Sequence, residues 1–457
     1  MDHTDAQRIT RRSLLSAAAG GAAALGVAGV PAWARPIAQI AGLRRPDSLP
    51  FPHRRAGEPT PELDAIEHVV VLMMENHSFD NLLGMVPHQV TGRAGVDGFT
   101  LKHGQPTNSN PQPGGPRLFA RPMSSPCQLV GHPSQDWNAS HQSYDNGRND
   151  GFVAASGPVA MRFWDKTDLP FTYSMVKHFP MGQRYFCSVL AQTYPNRRFL
   201  FCGTASGLTA TNNQTFTTPA ANGTFFDRLD AHHIDWRNYY QNAASALIVP
   251  GFYSTARAKK LKPMTDFFSD AHAGKLPPFT MLDPQYSTTS EENPQDIQVG
   301  EELVAKVVNA LMHGPKWKST ALFLTYDEHG GYYDHVPPPA AIKPDNIAPI
   351  PVPGGAPLAP GGYNRYGFRV PLVVVSPWAR AGYVSRVVQD HTSITSFIEH
   401  KWNLPAMTFR DANAHPMTDY FDFSAPAFRE PPKLAAAPGL AHGLAECHAA
   451  GLTPPLP

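Results

Sequence analysis

Residues 66–74 (IEHVVVLMM) form an apolar run that is continuous from Val69 to Met74. It is rich in β-branched side chains, has the length of a strand, and stops at the polar pair Glu75-Asn76. A continuous run rather than an alternation fits a strand covered on both faces, as in a parallel sheet. The same grammar recurs at 320–325 (TALFLT), which runs into Tyr326-Asp327-Glu328-His329-Gly330-Gly331, and at 370–376 (VPLVVVS); residues 234–240 and 279–283 are weaker strand candidates. Between these runs, apolar positions return at helical spacing in 297–312 (Ile297, Val304, Val307, Val308, Leu311) and again in 391–402. Strands alternating with helices predict an α/β fold, a mostly parallel central sheet flanked by helices and joined by long loops. Functional groups in such sheets gather beyond the carboxyl ends of the strands, where both Glu75-Asn76 and Asp327-Glu328 fall.

The ends of the chain read differently. Thr10-Arg11-Arg12-Ser13-Leu14-Leu15 is a twin-arginine pattern, followed by a small, apolar stretch over 14–30 and a cleavage-like Ala32-Trp33-Ala34. That stretch falls short of the ~20 strongly apolar residues a span needs. Residues 1–34 therefore predict a signal peptide for the twin-arginine export machinery, a periplasmic or secreted product, and a mature chain without a transmembrane span. Residues 35–62 read as a linker, 63–425 as one folded domain, and 426–457 as an Ala/Pro-rich, weakly ordered tail. With 38 basic against 37 acidic residues there is no overall field to draw in nucleic acid. The 47 prolines and 36 glycines are spread without period, as expected of long ordered loops. Cys127, Cys187, Cys202 and Cys447 allow three complete pairings, and their spacing resembles no zinc site. Cys187 and Cys202 sit in apolar sequence, where buried free thiols are the alternative to a disulfide.

Three groups of residues carry candidate chemistry. Glu75, Asn76, Asp327 and Glu328 offer oxygen ligands from two strand ends, which is what a hard divalent cation needs; singly, such carboxylates are just as often helix caps. Thr193, in Gln192-Thr193-Tyr194-Pro195-Asn196-Arg197, becomes a competent nucleophile for phosphorus if its hydroxyl is held at such a cation, with Asn196 and Arg197 placed to hold phosphoryl oxygens. By itself that segment is an ordinary turn. Protonation of a leaving group calls for a histidine, and His329, His335 and His391 lie in or beside the strongest motifs, while His132 and His141 flank Trp137.

Together the segments 66–80, 193–197, 326–337 (YDEHGGYYDHVP) and 390–393 (DHTS) closely resemble the bacterial phosphoesterase family of phosphatidylcholine-hydrolysing phospholipases C and acid phosphatases, over roughly residues 65–405. The resemblance implies an alkaline-phosphatase-like core and one divalent metal ion, its identity open, held by Glu75, Asn76, Asp327 and Glu328. It also implies a nucleophile at Thr193, with His391 and Asp390 close by. The chain departs from the family at Glu292-Asn293-Pro294, where relatives commonly have aspartate and histidine before the proline. It departs again before Trp137, where many have a histidine, so that His141 rather than His132 becomes the expected site histidine. The C-terminal region of the larger phospholipases C is expected to be missing. The implied activity is phosphoester hydrolysis through a phosphothreonine, as a phospholipase C acting on phospholipids or, alternatively, as an acid phosphatase. A catalytically silent exported binding protein is the rival of another class. A sulfatase is disfavoured, because residues 193–197 lack the cysteine-x-proline-x-arginine setting those enzymes use.

Overall fold

The computed structural model describes residues 42–128, 131–252 and 254–438, together with Cys447. The expected signal peptide, residues 1–34, lies outside them. Eight strands form the central sheet: β1 (His68–Met74), β2 (Met181–Gly182), β3 (Trp236–Tyr240), β4 (Leu261–Pro263), β5 (Phe279–Asp283), β6 (Thr320–Tyr326), β7 (Leu372–Val375) and β8 (Val384–Ser385). Their order is β4-β3-β5-β1-β6-β7-β2-β8. All neighbours run parallel except at β7, which is antiparallel to both β6 and β2. The centre is β1, paired residue for residue with β6 from His68↔Thr320 to Met74↔Tyr326, so both strands end on the same edge. Every residue of β1, β5, β6 and β7 is buried. These strands are therefore mostly apolar, without a polar face, because water reaches neither side.

Five helices concern the site: α1 (Phe79–Leu83), α2 (Trp137–Tyr144), α3 (Thr193–Cys202), α4 (Ile297–Met312) and α5 (His391–Trp402). Ser78 caps α1 by accepting from the Asn81 amide at 3.2 Å, which turns the chain sharply after β1. α5 packs on α3, where the Thr395 hydroxyl donates to the Leu200 carbonyl at 2.6 Å. No helix among the described residues is long and apolar enough to cross a membrane.

Two segments expected to be loose are tied down. The described part of the expected linker lies along the end of α5, with backbone hydrogen bonds Asp47 to Ala406, Gly57 to Trp402 and Thr60 to Lys401. In the expected tail, Phe428 is buried against Phe179, and Cys447 forms a disulfide with Cys127. Composition hides these anchors, since a few buried contacts and one covalent bond are enough to order a Pro-rich segment. Cys187 and Cys202 are free and buried.

Candidate active site

The carboxyl edge of β1, β5 and β6 delivers the expected acidic groups to one place. Asn76 adopts φ +65°, a left-handed conformation that asparagine tolerates better than most residues, and its amide donates to Asp327 Oδ1 at 3.1 Å. The turn after β6 reaches this point only because residue 330 is glycine: φ is +64°, and a Cβ there would lie 1.8 Å from the Asn76 carbonyl oxygen. Glu328, buried beside Asp327, accepts from the Gly330 amide at 2.7 Å, with His329 Nδ1 at 3.2 Å.

Thr193 is the first residue of α3, at the positive dipole end of the helix, an arrangement that favours an oxyanion. Its hydroxyl lies 3.4 Å from Asn76 Oδ1. Thr193 and Glu75 line a cavity of about 500 Å³ whose other walls include Gln135, Tyr194, Phe216, Leu247, Tyr286 and Glu292. The structure thus brings Thr193, Glu75, Asn76 and Asp327 together, with Glu328 next along the chain.

Arg197 sits among these acids instead of facing open space. Its Nε donates to Asp327 Oδ2 at 3.1 Å, Nη2 to Glu75 Oε1 at 3.4 Å and Nη1 to Asp283 Oδ1 at 3.5 Å. Burial works against its charge, but Tyr286, Asp327, Glu75 and Asp283 outweigh it and hold the guanidinium pKa above its ordinary value. Asn196, the other expected phosphate contact, is fully committed to the backbone. Its Oδ1 accepts from the Ser188 and Val189 amides, and its Nδ2 donates to the Ala191 carbonyl at 2.8 Å. In this structure both side chains organise the site rather than face the cavity.

Three buried carboxyl groups, Glu75, Asp283 and Asp327, gather around this one guanidinium, and a fourth, Glu328, is buried beside Asp327. Burial pushes all four above the usual carboxylate range, against the opposing pull of Arg197 on Glu75, Asp283 and Asp327. Glu328 Oε1 is buried without a hydrogen-bond partner. Buried carboxyls with an unpaired oxygen, next to a neutral oxygen on Asn76 and a hydroxyl, supply the oxygen donors a divalent cation takes, although among the described residues their ligand atoms are not drawn within 4.8 Å of one another.

The expected histidines are placed elsewhere. His391 is fully buried, with Nε2 2.6 Å from the Asp327 carbonyl oxygen and Nδ1 3.0 Å from the Tyr185 hydroxyl, and burial lowers its pKa to about 4. It braces Asp327 from behind as a neutral ring. The neighbouring Asp390 caps α5 and pairs with Arg410 at 3.3 Å. His335 bonds Asp80 at 2.6 Å and Asp97 at 3.1 Å; although burial opposes its charge, Asp80 and Asp97 raise its pKa to about 10, so both ring nitrogens are committed as donors. Asp80, Asp334 and His335 bring one ligand-type atom each within 4.8 Å of one another. Arg369 already lies among them, 2.8 Å from Asp334 and 3.0 Å from Asp80, supplying positive charge. His141 stacks on Trp137 at 4.4 Å beneath Gly361, and burial lowers its pKa to about 4. It is His132 that faces the cavity wall, its Nε2 3.7 Å from Glu292 Oε1. Asn293 turns away, accepting from the Tyr332 hydroxyl at 2.6 Å. Asp283, Tyr286 and Glu292 were not expected at the site. Asp283 carried the available signal, an acid closing a strand on the same edge.

Residues 66–405 match the model of the Phosphoesterase family. Non-specific phospholipase C6 of Arabidopsis thaliana is 32% identical over 78% of this chain and 72% of its own length. Non-hemolytic phospholipase C of Pseudomonas aeruginosa is 30% identical over 84% of this chain and 60% of its own length, and phospholipase C B of Mycobacterium tuberculosis 29% over 83% and 82%. Among solved structures, a protein in the alkaline phosphatase superfamily from Vibrio parahaemolyticus aligns over 73% of this chain and 78% of its own at 11% identity, with a TM-score of 0.34. The acid-rich edge, the threonine at the start of α3 and a family match over most of the chain agree, and the chain belongs to the Phosphoesterase family of hydrolases acting on phosphoester bonds.

Proposed function

We propose that the protein is an exported phospholipase C that cleaves phospholipids through a covalent phosphothreonine on Thr193. The observation that carries this is the Thr193 hydroxyl, 3.4 Å from Asn76 Oδ1 at the start of a helix and open to a cavity it shares with Glu75. Glu75, Asn76, Asp327 and Glu328 would hold one divalent cation, which when bound supplies compensation of buried charge and acidifies a nearby hydroxyl. Thr193 Oγ1 gives its proton to water in the cavity as it attacks phosphorus, and the bond from phosphorus to the glycerol oxygen breaks. The Thr193 amide and the positive end of α3 receive the charge that develops on the phosphoryl oxygens. His132, whose pKa the neighbouring Glu292 raises, hands a proton to the departing oxygen from beside the cavity wall. Water then attacks the phosphothreonine and frees the phosphorylated headgroup. Arg197 keeps Glu75 and Asp327 in register, while His391 fixes the backbone of Asp327.

Phe216, Leu247 and Tyr194 give the cavity apolar walls, which suits a substrate with an organic group on both sides of phosphorus better than a bare monoester. The test is turnover of phosphatidylcholine and of p-nitrophenyl phosphate, each with and without chelator. Diacylglycerol and phosphocholine released only without chelator are expected. Hydrolysis of the monoester alone would make the protein an acid phosphatase, and no turnover of either would leave a binding protein on this fold. Retention of precursor in the cytoplasm when Arg11 and Arg12 are both changed to lysine tests the export route.

A further inference from the structure

Three stretches of the chain lack any charged side chain: from Arg198 to Asp227, from Arg237 to Arg257 and from Asp345 to Arg365. In a protein with 16% charged residues this is an uneven distribution; the structure places the first two stretches on the wall of the Thr193 cavity and bonds the third to the first. The first supplies Thr211 and Phe216 to the wall of the Thr193 cavity, and the second supplies Ala243, Ala244 and Leu247. The third spans the neighbouring surface and is pinned on both sides of the site. At one end the Ile350 amide donates to the Gly207 carbonyl at 2.8 Å, and the Thr209 hydroxyl donates to the Ile350 carbonyl at 3.1 Å. Two residues on, Thr211 Oγ1 accepts from the Tyr194 amide at 3.1 Å, beside the nucleophile. At the other end the Trp137 indole donates to the Ala359 carbonyl at 2.9 Å, two residues from the cavity-lining Gln135.

Between these pins the loop turns its apolar residues outward. Ile350 is 42% exposed, one of only three large hydrophobic side chains so exposed among the described residues, and Ala348, Pro351, Pro353 and Ala356 are exposed around it. Contiguous solvent-facing Ile, Pro and Ala without an interspersed charge form an apolar surface of the kind that marks an interaction site. The three stretches carry no lysine or arginine to meet an anionic surface and no carboxylate to repel one, Glu292 lying outside them on the cavity wall, so their electrostatic complement is a neutral one.

We infer that this uncharged rim is a docking surface for a neutral, zwitterionic lipid interface, on which the Thr193 cavity opens directly. The inference rests on the proposed phospholipid-cleaving function, since the rim and the cavity would then meet the same molecule. Ile350 enters the acyl boundary, and the Pro-fixed backbone around it holds the loop extended without ordering on contact.

The experiment is co-sedimentation of the full-length protein with phosphatidylcholine vesicles and with phosphatidylglycerol vesicles. It is paired with turnover of phosphatidylcholine in vesicles and of a soluble phosphocholine ester. Wild-type protein is expected to sediment with phosphatidylcholine and no better with phosphatidylglycerol. Ile350→Glu should weaken vesicle binding and lower the ratio of vesicle to soluble-ester turnover about tenfold or more, the loss expected for replacing one inserted apolar side chain by a charge. Ala356→Glu, at an exposed position further along the loop, should act in the same direction and guards against a folding defect at Ile350. An unchanged ratio in both variants, or wild-type protein that prefers phosphatidylglycerol, would overturn the docking surface. If wild-type enzyme binds vesicles yet cleaves neither lipid nor ester, the docking stands and the proposed reaction fails instead.

Discussion

Gly330→Ala is the sharpest single perturbation of the site. Residue 330 has φ +64°, and an added Cβ would meet the Asn76 carbonyl oxygen at 1.8 Å, its carbon at 2.6 Å and its Cα at 3.2 Å. The obstacle is backbone, so no rotamer change relieves it. The two loops must part by more than 1 Å, judged against an ordinary contact of about 3.5 Å. The left-handed conformation costs an alanine about 1–2 kcal/mol and forced overpacking a further 1–3, so a stability loss of about 2–5 kcal/mol is expected. A shift of that size between Asn76 and Asp327 separates the groups around Thr193, and misplacement by ~1 Å costs about 100-fold in rate. Gly354→Ala is the internal control, because Gly354 has φ +72° and nothing within 4 Å of an added Cβ, so it reports the conformational cost without the collision. The assay is kcat/KM on a soluble phosphoester beside the denaturation midpoint of both variants. A Gly330→Ala enzyme within threefold of wild type, no less stable than Gly354→Ala, would show that the approach of the two loops does not govern the site.

Thr193→Val should abolish turnover while leaving substrate binding measurable, and Thr193→Ser should retain activity; phosphate on Thr193 in acid-quenched enzyme, read by mass spectrometry, is the direct check. Asp327→Asn should lower the metal content of purified protein and cut activity by orders of magnitude, and a variant with full metal content and rate refutes the ligand assignment. Cys447→Ser should cost about 2–5 kcal/mol in denaturation and make the midpoint insensitive to reductant, because it opens a loop of sequence separation 320. Burial holds His141 and His400 as neutral rings with pKa near 4, so between about 4 and the ordinary 6.5 the unfolded chain binds more protons than the folded one. Stability should therefore fall as pH drops through that window, and His400→Gln should flatten the slope of midpoint against pH.

The strands that organise the edge were legible because water touches neither face of them. The run over 66–74 and its echo at 320–325 become β1 and β6, side by side. Direction is not written in an apolar run, and so nothing in 370–376 announces that β7 is reversed. Strands of two or three residues, such as Met181–Gly182 and Leu261–Pro263, are too short to carry a period at all. At the site, the strand-end acids stood out by position. The role of Arg197 did not, since a Pro-Asn-Arg turn reads the same whether its guanidinium faces a substrate or a cluster of carboxylates. His141 and His132 pose the same difficulty: local sequence marks both, and only the packing of Trp137 decides which ring is covered.

The reversal of β7 has a bearing on how such an enzyme can diversify. Because β6 ends and β7 begins on one edge, the chain between Asp327 and Pro371 leaves and re-enters the sheet at the edge that carries the acids. Insertions, deletions and changes of composition in that excursion alter what the opening touches while the registers of β1, β5 and β6 stay as they are. Acids held by the sheet and a border held only by the excursion can then drift at different rates, and one catalytic edge can serve surfaces of different chemistry without being rebuilt.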